Sequence, residues 1–157
     1  MTPSELYEQD FYQWALAEAA RIRALPETTP IDRDNVAEEI ASLARRHKRK
    51  VETQIQVALS SLLRRILLGA SREIDAQINH ALFEVGNWFD PGMRADLRLD
   101  KCWSVALREI AIDFPDSDIA KQQPATCPLI ADDFLVEDPD FHALARKVAD
   151  HLKTSAS

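Results

Sequence analysis

The segment Arg45-Arg46-His47-Lys48-Arg49-Lys50 places five basic residues in six positions. Wound on an α-helix, Arg45, Arg46, Arg49 and Lys50 fall mainly away from the apolar face, and Arg64 projects into the same sector as Arg46 further along. A basic stripe of this kind meets phosphates, with affinity drawn from counterion release. Arg45, Arg46, Arg49, Lys50 and Arg64 are therefore the candidate contacts to an anion or a nucleic acid. The ordinary reading is a solvated face, because Glu38, Glu39 and Glu52 lie within a turn or two and can pair with it. No aromatic residue interleaves with these basic residues in sequence, which weakens single-strand binding.

Other chemistry-bearing residues divide the same way. His47 and Arg65 project close to the apolar sector of the same helix. One reading makes His47 a ligand or proton carrier and Arg65 an anion clamp. The other has His47 hydrogen-bonded beside the core and Arg65 lying over apolar surface or paired with Asp10 or Glu18. Glu73, Gln77, His80 and Glu84 form one polar stripe at helical spacing. Glu39, His80 and Glu84 are the metal candidates and, with them, the basis for a metal-dependent hydrolase. Bundle metal sites, however, are built on Glu-x-x-His pairs, and the sequence has none. His142 and His151 read as surface residues. Cys102 reads as a small semi-buried thiol. Cys127, in a loop between Thr126 and Pro128, becomes a nucleophile only beside a base or helix N-terminus, and otherwise plugs the loop onto the fold. Tyr7, Phe11, Tyr12 and Trp14 read as core and rim packing. No catalytic constellation is complete, and no cofactor is expected.

Composition bounds what must position these groups. A chain of 157 residues is the size of one domain and long enough to bury a core without metal or disulfide. Its three glycines, Gly69, Gly86 and Gly92, are too dispersed for a phosphate cradle or dinucleotide turn. A net charge of −7 disfavours indiscriminate binding to nucleic acid or anionic membrane. Two cysteines with no CxxC pair are expected to be reduced thiols. No signal-like segment or membrane span is read, so the expected location is cytoplasmic.

Periodicity predicts an all-α, single-domain bundle of about five helices around one long helix. The first helix starts at a Ser4 cap, carries Phe11, Ala15, Ala19 and Ile22, and ends before Pro26. The second starts at an Asp32 or Asp34 cap and runs to about Leu68. Its apolar face is Val36, Ile40, Leu43, Ala44, His47, Val51, Ile55, Ala58, Leu59, Leu62 and Ile66, and it is roughly 50 Å long. Such a helix needs partners along its length, either other helices or a second protomer. Ser71 caps a third helix with Ile74, Ile78, Ala81, Leu82 and Val85 inside, and Asp90-Pro91-Gly92 breaks the chain. A fourth runs from about Met93 to Phe114, followed by a loop and a short helical turn near Leu129 to Leu135. The last covers about Pro139 to Lys153, with Asp138 as its cap and Pro139 at its first position.

Three segments occur in order: Leu6-Tyr-Glu-Gln-Asp-Phe-Tyr-Gln-Trp14, Asn35-Val-Ala-Glu-Glu-Ile-Ala-Ser-Leu43, and Pro124-Ala-Thr-Cys-Pro128 ahead of Asp132-Asp-Phe134. Together they resemble the bacterial family catalogued as domain of unknown function 29, over about Leu6 to Phe141. The family usually carries a Trp- and Arg-rich segment after its second helix, whereas here that stretch is Leu67-Leu-Gly-Ala-Ser-Arg-Glu-Ile74. The resemblance implies a helical bacterial protein and no particular activity. Two expectations remain: a non-catalytic helical module that binds protein, including a second copy of itself, and a nucleic-acid-associated accessory protein using the basic stripe.

Overall fold

The aromatic-rich N-terminal stretch forms two helices where periodicity predicts one. The computed structural model describes residues 1–156, and its first helices are α1 (Pro3–Gln9) and α2 (Phe11–Arg23). Thr2, rather than Ser4, caps α1. Its hydroxyl accepts from the Glu5 amide at 3.2 Å and its own amide donates to the Glu5 carboxylate at 2.6 Å, a reciprocal capping box. Those bonds hold the Glu5 carboxyl below the usual range. Asp10 makes the break. It ends α1 and caps α2, its Oδ1 accepting from the Gln13 amide at 2.9 Å. Apolar spacing that runs unbroken across Asp10 conceals this in sequence, because a cap acts through backbone geometry rather than periodicity.

The long helix, α3 (Arg33–Leu68), has 36 residues and lies where its capping signals put it. Asp32 accepts from the Asn35 amide at 3.3 Å. Gly69, at φ +86°, takes the left-handed conformation that ends helices, its amide donating to the Arg65 carbonyl at 3.0 Å. Helix α4 (Arg72–Trp88) follows, with Ser71 Oγ accepting from the Ile74 amide at 3.1 Å.

Beyond it, three boundaries move. Pro91–Asp96 is a 3₁₀ turn, so α5 (Leu99–Asp113) begins later than Met93. The expected loop contains a short α6 (Asp118–Lys121), capped by Ser117 and anchored by buried Ile119. After a 3₁₀ turn at Ala131–Phe134, α7 (Phe141–Ser155) is capped by Asp140, not Asp138. Among the described residues there is no strand, and the fold is all-α.

The chain divides into two compact units, one of Met1–Lys50 with Trp88–Leu97, the other of Val51–Asn87 with Arg98–Ser157. Each draws on about half of α3, which accounts for a length that a bundle of five helices would not require. The first unit has a small core of Ala15, Ala19, Ala37, Ala41 and Ala44 with Tyr12 and Met93. Such short side chains bring helix backbones close together, and Ile22 and Ile40 seal the flank. The predicted Val36 and Leu43 instead face outward, and Ala37 and Ala41 take the inner positions.

The second unit holds the larger core: Val51, Ile55, Leu59, Leu62 and Leu63 of α3 with Ile78, Leu82, Trp103, Leu107, Ile110, Phe134 and Val148. Full burial of each large aliphatic side chain contributes about 1.5–3 kcal/mol. Two polar groups enter this core with partners supplied. Ser60 Oγ donates to Glu109 Oε2 at 2.6 Å. Glu52, which the sequence assigns to the basic face, turns inward and accepts from Arg98 three times: from its amide at 3.0 Å, its Nε at 3.1 Å and its Nη2 at 2.6 Å.

Candidate functional site

In the first unit, the N-terminal aromatic residues and the basic run of α3 meet around His47. Tyr7 stacks edge-on against Trp14 with ring centroids 4.8 Å apart and against Phe11 at 5.7 Å. Phe11 lies 5.2 Å from the His47 ring, and His47 lies 5.7 Å from Trp88. The array closes with Lys50, whose Nζ sits 3.8 Å above the Trp88 ring, a cation–π contact. Phe11, Leu43, Arg46, His47, Lys50 and Trp88 line one surface cleft of about 460 Å³. Its walls are mostly apolar, and Leu43 and Trp88 remain more than a third exposed.

The polypeptide behind this cleft is firmly held. Asp90 Oδ2 accepts from the Tyr12 amide at 2.9 Å and lies 2.8 Å from His47 Nε2. The Tyr12 hydroxyl donates to Asp96 Oδ2 at 2.8 Å, and Lys48 Nζ donates to the Asp96 carbonyl at 3.0 Å. The Gly92 amide donates to Asp10 Oδ2 at 2.6 Å, an approach that only a residue without Cβ permits. His47 is thus neither a free ligand nor a core residue. It is a half-buried ring in a pinned aromatic row.

The basic residues separate according to their surroundings. Arg45 pairs with Glu38, as does Arg23 at 3.2 Å. Arg64, in the second unit, pairs with Asp113 at 2.7 Å. Arg46 and Lys50 line the cleft, and Arg49 stays exposed on the helix. The aromatic neighbours that the local sequence lacks come from elsewhere in the chain, Phe11 from α2 and Trp88 from the end of α4. A Trp at the end of a helix just before Asp-Pro-Gly was the signal, but nothing in sequence says which basic residue it reaches.

Of the remaining candidates, Glu39 belongs to the first unit and the others to the second. Arg65 Nε donates to Asp75 Oδ1 at 2.9 Å, so its partner is Asp75 rather than Asp10 or Glu18. Among the described residues no group of three or more His, Cys, Asp or Glu could hold a metal ion, so Glu39, His80 and Glu84 are not gathered into one. His142 is exposed and contacts Arg146 at 2.8 Å. His151 is not a surface residue. It is half-buried, with its ring 6.3 Å from that of Trp103. Burial pushes both thiols up, Cys102 to about 11 and Cys127 to about 11, the opposite of nucleophile activation. The Cys127 amide donates to Asp100 Oδ1 at 2.8 Å, tying its loop to α5.

A groove lined by Phe83, Gly86, Leu135, Val136 and Pro139 also opens in this unit. Among the described residues, no helix is long and apolar enough to cross a membrane.

Comparison with known proteins reinforces the fold and leaves the chemistry to the geometry above. A crystallised alpha-helical protein of unknown function from Rhodospirillum rubrum is similar with a TM-score of 0.73 at 21% identity, over 90% of this chain and 96% of that one. At that identity the likeness speaks for the fold alone. No curated protein sequence matches the chain. The family model described as domain of unknown function DUF29 matches residues 6–141, which reaches from α1 to the start of α7. The chain belongs to that family.

Proposed function

We propose that the protein is a non-catalytic helical module that binds another protein through the aromatic cleft of its first unit. The observation that supports this most is the row Tyr7–Trp14–Phe11–His47–Trp88, held by a pinned backbone while Tyr7, Leu43 and Trp88 stay exposed. Exposed apolar side chains grouped beside basic ones mark interaction sites more often than scattered ones do. Tryptophan, tyrosine and arginine dominate the residues that carry binding energy at interfaces. A catalytic reading gains nothing from the thiols, which burial raises to about 11. In this reading the protein works in the cytoplasm, and a second copy of the chain is one candidate partner.

The test is co-purification from the cells that make the protein, comparing wild type with Leu43→Glu and Ile112→Glu. Ile112 is a strongly exposed apolar residue of the second unit and serves as the control. A protein retained by wild type and Ile112→Glu but lost with Leu43→Glu supports the reading. Equal recovery with all three overturns it.

A second reading, contact with single-stranded nucleic acid, gains from one observation. Lys50 and Arg46 share the cleft with Trp88 and Phe11, and stacking beside cations is how such strands are held. The engagement of Arg45 with Glu38 and of Arg64 with Asp113 shortens the track it would follow.

A further inference from the structure

We infer that the cleft takes an acidic segment of a partner protein, with an apolar anchor side chain seated between Phe11, Leu43 and Trp88 and carboxylates reaching Arg46 and Lys50. This rests on the interaction reading above and names the chemistry of the partner.

Three observations carry it. The first is charge. The six lining residues are Phe11, Leu43, Arg46, His47, Lys50 and Trp88, which include two permanent cations and no carboxylate. That composition stands out in a chain of net charge −7. Among the described residues Arg46 has no ion-pair partner, and Lys50 rests on an indole face rather than on an acid. Elsewhere Arg23, Arg45, Arg64, Arg65, Arg98 and Lys147 are each matched to a carboxylate.

The second observation is shape. A cleft of about 460 Å³ with mostly apolar walls suits one or two side chains and is lined by the residue types that serve as interface anchors. The third is preorganisation. Lys50 is already over Trp88 at 3.8 Å, and the His47 ring packs between Phe11 and Trp88 at 5.2 and 5.7 Å, which lowers the ordering cost of these side chains when a partner docks. Cations beside an apolar pocket with no acid in its lining attract an acidic segment and repel a basic one, giving specificity as well as rate. A nucleic acid would also answer the charge. Its cationic track would be short, because Arg45 and Arg64 are engaged with Glu38 and Asp113.

The experiment measures binding of a fluorescent synthetic peptide to the full chain by anisotropy. The peptide has Leu and Phe at helical spacing with glutamate at the other positions. Controls are the same peptide with lysine for glutamate, and an oligothymidine. The expected result is saturable binding of the acidic peptide that weakens as salt rises. An Arg46→Glu, Lys50→Glu double variant should weaken it about tenfold or more, while Ile112→Glu leaves it unchanged. Both charge-reversed positions are exposed, so the variant's helical circular dichroism should match wild type. A single Leu43→Asn variant gives a second check through the anchor pocket.

Three outcomes overturn the inference: no binding of the acidic peptide, equal binding of the lysine peptide, or tight binding of the oligothymidine with the same dependence on Lys50. If the peptide fails while co-purification still depends on Leu43, the partner chemistry falls and the interaction reading stands. If both fail, the interaction reading falls too.

Discussion

A carboxylate taken out of water costs several kcal/mol unless it is paired and hydrogen-bonded, and Glu52 is 3% exposed. Three donors of Arg98 answer it, and the same contact raises the Arg98 guanidinium above its ordinary value. Replacing Arg98 by Ala removes the Nε and Nη2 donors and their charge from the buried carboxylate. Thermal denaturation should show a melting temperature several degrees below wild type, with Glu52→Gln falling less because an amide can still accept a hydrogen bond. An unchanged melting temperature for Arg98→Ala would mean the pair contributes nothing.

The thiols yield a pH prediction at the same scale. Each titrates near 11 when folded against an ordinary 9.0, so the folded state keeps its thiol protons longer than the unfolded one. Their contribution to stability is complete below about pH 9 and is lost as pH rises toward about 11. At neutral pH the thiolate fraction is about a hundredfold below that of the unfolded chain. Iodoacetamide should therefore label the native protein far more slowly than the urea-unfolded one, as read by mass spectrometry. Equal rates would contradict the assignment. The semi-buried Cys102 and the loop-anchoring Cys127 were legible in sequence, whereas the inward turn of Glu52 was not. Glu52 lies beside a basic run in sequence, and only the fold brings Arg98 to it.

At the scale of elements, the three glycines make separable predictions. Gly69 holds φ +86° with open space around it, so Gly69→Ala meets no clash but a strained backbone, and should cost about 1–2 kcal/mol. Gly86 is helical and also unobstructed. Gly86→Ala should stabilise by about 0.5–1 kcal/mol, since alanine loses less backbone freedom in a helix. Gly92 is closed in. A Cβ there would come within 2.7 Å of Asp10 Oδ2 and 2.9 Å of Gln13 Cβ. Gly92→Ala should cost about 1–3 kcal/mol. Denaturant titration of the three variants checks the order, and a stabilised Gly92→Ala would show that the Asp10 contact is not tight.

The extent of α3 was legible because its ends carry strong chemical marks, Asp32 at one and Gly69 at the other. The break at Asp10 and the start of α5 were not. Asp10 interrupts no hydrophobic period, and Met93 continues one although Pro91 and the Asp90 carbonyl, which accepts from the Met93 amide at 3.1 Å, hold it in a 3₁₀ turn. The aromatic cleft was half legible. Tyr7, Phe11 and Trp14 were visible as a cluster and Lys50 as part of a charge run, but they were read as separate features. Their meeting depends on α2, α3 and the end of α4 converging in one unit.

For the whole molecule, two compact units with different cores point to different uses. The second unit buries large side chains densely and satisfies its buried carboxylate, as a scaffold does. The first has an alanine-rich core and leaves Tyr7 and Trp88 exposed, the arrangement on which the proposed binding face rests. Its function then depends on whether that face meets a protein. The most direct measurement places a photo-reactive amino acid at Leu43, and separately at Ile112, in the protein expressed in its own cells, and looks for covalent adducts after illumination. The account predicts a discrete protein adduct from Leu43 and none of the same mass from Ile112. No adduct at Leu43, or the same adducts from both positions, would contradict it.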